Sequence, residues 1–355
     1  MLHRHITHNQ FVVFSLYSMF LTFMLGLAVI EQIQTPTVYA DEYKIHVQRT
    51  ENTKKTNILL FGDMMLDRNI RKKINENGMD YPFKLIKDKI SDNDIVVANA
   101  EGPFTFFNSV TLGVKDGPLK FTFDPRILPT LKNIGFTLLG QANNHTLNFG
   151  EEGLNQSTTS IMLSGLNYFG DPSNKNSISY IAEINNQKIG FVGYNEFSYQ
   201  GKDNVISEIE NIRNQVSYLI VYSHWGEEYN PSFITSQQDT AHEFIDAGAD
   251  AVIGMHPHVI EPIEFYKNKP IFYSIGNFIF DQNQSEETKK GLAIKITVDD
   301  NSVVYEINPI NIENGQASYM KDPDKQEILS SLEKSVINPN DFREDLTTGL
   351  IKINK

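Results

Sequence analysis

The side chains of this sequence that could do chemistry lie in five short polar clusters, each following an apolar run. Asp63 closes the first, Asn99 and Glu101 the second, and Asn143, Asn144 and His145 the third. His224, Glu227 and Glu228 form the fourth, and His256 and His258 the fifth. Carboxylate oxygen, amide oxygen and imidazole nitrogen, in a chain without cysteine, suit a borderline or hard divalent cation such as zinc, manganese or iron. Asp63, Glu101, Asn144, His224, His256 and His258 are the candidate ligands. Two such ions about 3.5 to 4 Å apart could polarise a phosphoryl oxygen and generate hydroxide, with a carboxylate bridging them. Beyond residue 40 the other two histidines, His46 and His242, lack such company and are assigned to a linker and a helix surface.

Taken singly, most of these residues have a plainer reading. Asp63 after Gly62 could cap a helix, and Glu101 before Gly102 and Pro103 could be a turn residue. The asparagines of Ala142-Asn143-Asn144-His145 could hold a left-handed turn, and His224 beside Trp225 could be a packed histidine. His256-Pro257-His258 is harder to explain as structure, because a rigid proline between two imidazoles makes them diverge to two ligand positions.

The elements that must position these clusters are legible as runs. Ile58–Phe61, Ile95–Ala98, Phe136–Leu139, Ile189–Val192, Tyr218–Tyr222, Ala251–Ile253 and Ile271–Tyr273 are short, apolar and rich in β-branched residues, as buried strands are. Between them, Val205, Ile206, Ile209, Ile212 and Val216 share one helical face, and Thr235 to Ala247 reads as a helix with Gly248 at its C-cap. Alternating strands and helices predict an α/β layered domain, in which loops at the carboxyl ends of strands converge on one crevice. Later in the chain, Gly291–Val298 and Val303–Ile310 read as an antiparallel pair turning at Asp299, Asp300 and Asn301. Ile328, Leu329, Leu332 and Val336 then predict one amphipathic helix.

The formal charge is -13 at pH 7, and residues 1–40 contribute none of it, since Arg4 and Glu31 cancel. Such a domain repels nucleic acid and anionic lipid unless a local cation reverses the field, so no nucleic-acid partner is expected. Phe11 to Ile30 form twenty positions without a charge. Val38 and Ala40 suit cleavage of a signal peptide after Ala40, whereas an apolar run of roughly 20 residues also suffices for an uncleaved membrane anchor. Either reading exports the chain, as a protein secreted after cleavage or one anchored on the extracellular face of the membrane. The expected organisation is an export segment at 1–40, a linker at 41–56, a domain at 57–320 and a C-terminal helix and tail at 321–355 packing on it.

The clusters in order resemble the bacterial CapA family, the poly-gamma-glutamate capsule synthesis proteins, within the calcineurin-like metallophosphatase superfamily. The resemblance lies in Gly62-Asp63-Met64-Met65-Leu66 with Arg68, in Asn99-Ala100-Glu101-Gly102-Pro103, and in Ala142-Asn143-Asn144-His145 with Gly150. It continues through His224-Trp225-Gly226-Glu227-Glu228-Tyr229, Gly254-Met255-His256-Pro257-His258-Val259 and Tyr273-Ser274-Ile275-Gly276-Asn277-Phe278. It implies a four-layer sandwich, two central mixed sheets flanked by helices. It further implies a role in making, anchoring or exporting an anionic envelope polymer within a membrane capsule-synthesis complex. The alternatives are a secreted phosphoesterase acting on an envelope or nucleotide phosphate ester, and a non-catalytic polymer-binding protein. By the same resemblance Asp63 and His258 would ligate a first metal, Glu101 would bridge, and Asn144, His224 and His256 would hold a second. His145 would serve as general acid or oxyanion donor, and Arg68 would hold a substrate carboxylate or phosphate. Met65 stands where metallophosphatases carry a histidine, so one metal is expected to be well held and the other weakly. Asn148 and Glu261 replace the aspartate and glutamine of the family pattern.

Overall fold

The computed structural model describes residues 55–355 apart from 113, 115 and 116. The apolar segment Phe11 to Ile30, the cleavage position after Ala40 and residues 41–54 of the expected linker lie outside them. Among the described residues no helix is long and apolar enough to cross a membrane.

In chain order the strands are β1 (Thr56–Met64), β2 (Ile95–Ala100), β3 (Leu138–Gly140), β4 (Asn167–Phe169), β5 (Ser179–Ile184), β6 (Gln187–Asn195), β7 (Tyr218–His224) and β8 (Ala251–Met255). They continue as β9 (Ile263–Tyr266), β10 (Lys269–Phe272), β11 (Asn277–Ile279), β12 (Lys290–Val298), β13 (Ser302–Glu313), β14 (Gln316–Tyr319) and β15 (Leu350–Asn354). The helices are α1 (Arg68–Asn77), α2 (Lys87–Ile90), α3 (Leu128–Ile134), α4 (Gly150–Leu163), α5 (Asp203–Arg213), α6 (Thr235–Ala247), α7 (Asp324–Ser335) and α8 (Arg343–Thr348). One mixed sheet has nine strands in the order β14-β13-β12-β1-β2-β3-β4, with β11 against β1 and β15 against β13. The other has six, in the order β5-β6-β7-β8-β10-β9.

Side-chain alternation along the central strands produces the layers. Ile58 and Leu60 of β1 and Ile95 and Val97 of β2 point into a core shared with Phe191, Ile220, Tyr222 and Ile253 of the second sheet. The intervening Leu59, Phe61, Val96 and Ala98 face the other way, onto Ile70 and Ile74 of α1, Leu131 of α3 and Ile161 of α4. In the second sheet Val192, Leu219, Val221 and Val252 face Val205, Ile209 and Ile212 of α5 and Phe244 and Ile245 of α6. The described residues therefore stack as helix, sheet, sheet, helix. At about 1.5–3 kcal/mol for each large side chain removed from water, the core between the sheets fixes how they stack.

Some boundaries move for local reasons. The strand expected from Phe136 begins at Leu138, because Gly135 (φ +120) and the Phe136 N–H close α3 by donating to Leu131 O. Helix α5 stops at Arg213, so Val216 packs from the turn beyond it. Thr56, placed in the linker by its sequence, is the first residue of β1, and its buried hydroxyl donates to Gln187 Oε1 at 2.7 Å. The tail ends in β15, paired antiparallel with β13, and Leu329, Leu332, Leu346 and Ile351 join the core between the sheets.

Candidate metal centre

β1, β2 and β3 run parallel in one sheet, and β6, β7 and β8 run parallel in the other. Their carboxyl ends open at the same side of the sandwich, so residues from both sheets meet there. Gly62 permits the tightest approach. A Cβ on it would lie 1.8 Å from Gly276 O, so only glycine lets β11 lie beside β1, with Asn277 in register with Asp63.

Two donor groups result. Asp63, Glu101 and His258, all buried, offer ligand atoms within 4.8 Å of one another. His258 Nδ1 lies 3.3 Å from Asp63 Oδ2, and its Nε2 lies 3.6 Å from Glu101 Oε1. The second group spans the two sheets: His224 Nε2 stands 3.1 Å from both Asn144 Oδ1 and His256 Nδ1. Donors about 3 Å apart are neighbours around one ion with ligand distances of about 2.0–2.1 Å. The backbone turns at His256 (φ +98) and His258 (φ +60) send their imidazoles to different groups. The His256 N–H also donates to Asp63 Oδ2 at 3.0 Å, tying the groups together.

Asparagines support this arrangement. Asn99 donates to Asp63 Oδ1 at 2.7 Å and approaches His224 Nδ1 at 3.2 Å, while Asn143 donates to Asn99 Oδ1 and Ala100 O. Asn277 donates through Nδ2 to Thr288 O and Gln282 Oε1, which leaves its Oδ1 to accept from His258 Nδ1 at 2.9 Å. That bond fixes the His258 tautomer and turns Nε2 toward Glu101. Asn277 sits in a strand of three residues. The only sequence signal for its role was its place in the last of the family-like motifs.

Electrostatics follow from burial. Burial opposes ionisation of Asp63, but the His258 hydrogen bond and the charges of His224 and His258 outweigh it and hold the carboxyl at about 2. Burial and then the Asp63 charge push Glu101 well above the carboxylate range. Burial disfavours the His258 imidazolium, yet Glu101 and Asp63 raise it to about 9. His224 is driven well below the usual imidazole range by burial and then by His256, and His256 is driven down to about 3 by burial and then by His258. Carboxylates therefore converge on His258, while burial disfavours the charged forms of His224 and His256. Glu101 Oε2 is buried with no hydrogen-bond partner among the described residues. An orphaned oxygen, converging carboxylates and neutral imidazoles are what a divalent cation requires, so the residues fit one.

The remaining candidates lie around this centre. His145 Nε2 is 3.9 Å from Glu101 Oε1. Its Nδ1 is 3.2 Å from Asn148 Oδ1, an atom that also accepts the Phe121 N–H at 2.6 Å and is thereby identified as oxygen. Nδ1 therefore donates, and Nε2 presents a lone pair. Burial, opposed by the Asn148 bond, lowers this imidazole to about 4. Arg68 does not touch the donors. It pairs with Asp281 at 3.2 Å, 5.8 Å from the centres of the Phe121 and Phe280 rings, which in turn flank His145 and His258. Met65 is buried in the core against the helices. Glu227 is exposed and held by Asn230, whereas Glu228 offers a ligand atom within 4.8 Å of His256 and His258. Phe197, absent from the sequence reading, is half-exposed, with its ring 4.4 Å from that of His256.

Comparison with known proteins matches residues 57–282 to the family described as bacterial capsule synthesis protein PGA_cap. The chain is 26% identical over 316 residues to the capsule biosynthesis protein CapA of Bacillus anthracis, covering 83% of this chain and 77% of that protein. It is 30% identical over 287 residues to the PGA biosynthesis protein CapA of Bacillus subtilis strain 168, covering 76% and 75%. Among solved structures, it is similar to a hypothetical protein from Thermus thermophilus, with a TM-score of 0.45, 15% identity and coverage of 74% and 98%. It is also similar to the NAD nucleotidase NadN of Haemophilus influenzae, with a TM-score of 0.39, 12% identity and coverage of 82% and 66%.

Proposed function

The chain belongs to the family of bacterial capsule synthesis proteins PGA_cap, and from that premise we propose that it is a cell-surface accessory of capsule or poly-γ-glutamate synthesis or export whose metal centre handles the anionic polymer. The observation that carries this reading is the buried Asp63–Glu101 pair with Glu101 Oε2 unpartnered. A domain of charge -13 repels a polyanion, and a cation held at this pair is the local reversal that lets one approach. When bound, a divalent ion, manganese, iron or zinc, would polarise an oxygen of the ligand and lower the pKa of a water. Asn144, His224 and His256 would hold one position well. Asp63, Glu101 and His258 would hold a weaker one, because Met65 supplies no hard donor. Phe121, Phe197 and Phe280 pack against His145, His256 and His258, and Arg68 would meet a carboxylate or phosphate of the ligand by exchanging its partner Asp281. The uncharged segment Phe11 to Ile30 supports an extracellular placement, anchored or released near Ala40, beside membrane partners of polymer synthesis.

His145 favours a second reading, a secreted phosphoesterase. Its bare Nε2 faces Glu101, so in this protonation state it can accept a proton from water, and an acid role requires that it first be protonated. Both readings meet in one experiment on the purified full chain, measuring metal content, binding of γ-linked polyglutamate and turnover of generic phosphate diesters. The proposal expects polymer binding that is lost with chelator and in His256→Ala. Binding indifferent to both would overturn it. Chelator-sensitive turnover abolished by His145→Ala, without polymer binding, would establish the second reading instead.

A further inference from the structure

Position 65 leaves the Asp63, Glu101 and His258 group with three protein donors, and the chain after β7 brings Glu228 to its His258 side. We infer that Glu228 closes this side as a carboxylate ligand of the ion held by His258, in place of the donor that Met65 cannot supply. The inference rests on the metal reading of the site given above.

Three observations carry it. Glu228 is exposed, yet it offers an oxygen within 4.8 Å of donor atoms on both His256 and His258, the only carboxylate outside the Asp63–Glu101 pair to form such a group among the described residues. Its position is built: β7 ends at His224, Gly226 (φ +83) turns the chain, and Tyr229 (φ +65) turns it again, its N–H donating at 2.8 Å to the O of Pro257, the residue between the two histidines. A non-glycine residue held at positive φ costs free energy, and here the strain is fixed by the segment that carries the imidazoles. On the other flank, the Tyr229 hydroxyl accepts from Gln282 Nε2 at 3.1 Å, and Gln282 Oε1 accepts from the Asn277 that orients His258. Glu228 is thus referenced to His258 through two paths.

Glu228 forms its donor group with His256 and His258, and Asp63 and Glu101 form theirs with His258, so the carboxylates of the centre gather on the His258 side. The position of Asn144, His224 and His256 has two nitrogens and one amide oxygen. The oxygen-rich set favours a hard ion, so the two positions differ in preference as well as affinity. Manganese(II) is the probe, titrated into the full chain and followed by the electron paramagnetic resonance of the free ion. Wild type is expected to show two classes of site. Glu228→Gln is expected to weaken one class by more than about tenfold, the scale of even indirect losses at metal ligands, and to leave the other unchanged. Glu227→Gln, which removes the neighbouring charge without a ligand, is expected to leave both unchanged. Two unaltered classes in Glu228→Gln, or an equal loss in Glu227→Gln, would overturn the inference and spare the metal reading. A wild type that binds no ion would overturn both.

Discussion

The buried carboxyl of Glu261 gives a direct test of the electrostatics outside the metal centre. It is 1% exposed; Oε2 accepts from Gln237 Nε2 at 2.9 Å, and Oε1 has no hydrogen-bond partner among the described residues. Burial, against the opposing Gln237 bond, raises it from 4.5 to about 8. The folded value lies above the unfolded one, so between them the unfolded chain releases a proton that the folded chain keeps. Stability from this group is then full below about pH 4.5, falls by about 1.4 kcal/mol per pH unit, and levels off above about pH 8. Between pH 5 and pH 7 the loss is on the order of 2 to 3 kcal/mol. Glu261→Gln keeps the shape and the Gln237 bond and does not titrate. Denaturation of both proteins in guanidinium with chelator present, followed by the fluorescence of the single, fully buried Trp225, isolates the effect, because the other titrating groups cancel. The variant should match wild type near pH 5 and exceed it increasingly to pH 8. A difference independent of pH, or a wild type that gains on the variant as pH rises, would refute the reasoning.

Gly62→Ala places a Cβ 1.8 Å from Gly276 O, so it should cost at least about 3 kcal/mol in guanidinium unfolding and weaken metal binding by separating Asn277 from Asp63. Asn277→Leu removes the acceptor of His258 Nδ1–H, and competition with a chromophoric chelator should show metal affinity falling by about 10–100-fold, with rescue in Asn277→Asp, which keeps an acceptor oxygen. Asn148→Asp puts a charge where a neutral amide accepts from His145, so the imidazole should rise from about 4, read by NMR titration of its ring proton. An unmoved titration would show that this hydrogen bond is not what sets His145.

The long central strands were legible because both faces are buried, and β1, β2, β7 and β8 each contain an uninterrupted apolar run. Short edge strands were not. β4 and β5 are half-exposed and carry little contrast between faces, β15 alternates over only five residues, and the three residues of β11 are too few to show a period. The helix Thr235–Ala247 was legible to the residue, because Gly248 (φ +123) ends it where only glycine is unstrained.

By itself, the sequence determined which chemistry the chain could hold: carboxylates, amides and imidazoles after apolar runs, an acidic net charge, no thiol, and a methionine where a ligand was expected. Those are properties of residue type and local order, and they survive any arrangement of the strands. Which donors meet was decided by the tertiary structure. Asn144 reaches His224 only because the side chains of two sheets interdigitate, and Asn277 reaches His258 only because Gly62 admits β11. Met65 is excluded from the centre by pointing into the helix-side core, and Glu228 is aimed at it by a turn tied to Pro257. Distances of about 3 Å between residues far apart in the chain depend on how layers stack, and stacking is set by the summed packing of the core, which no local pattern encodes.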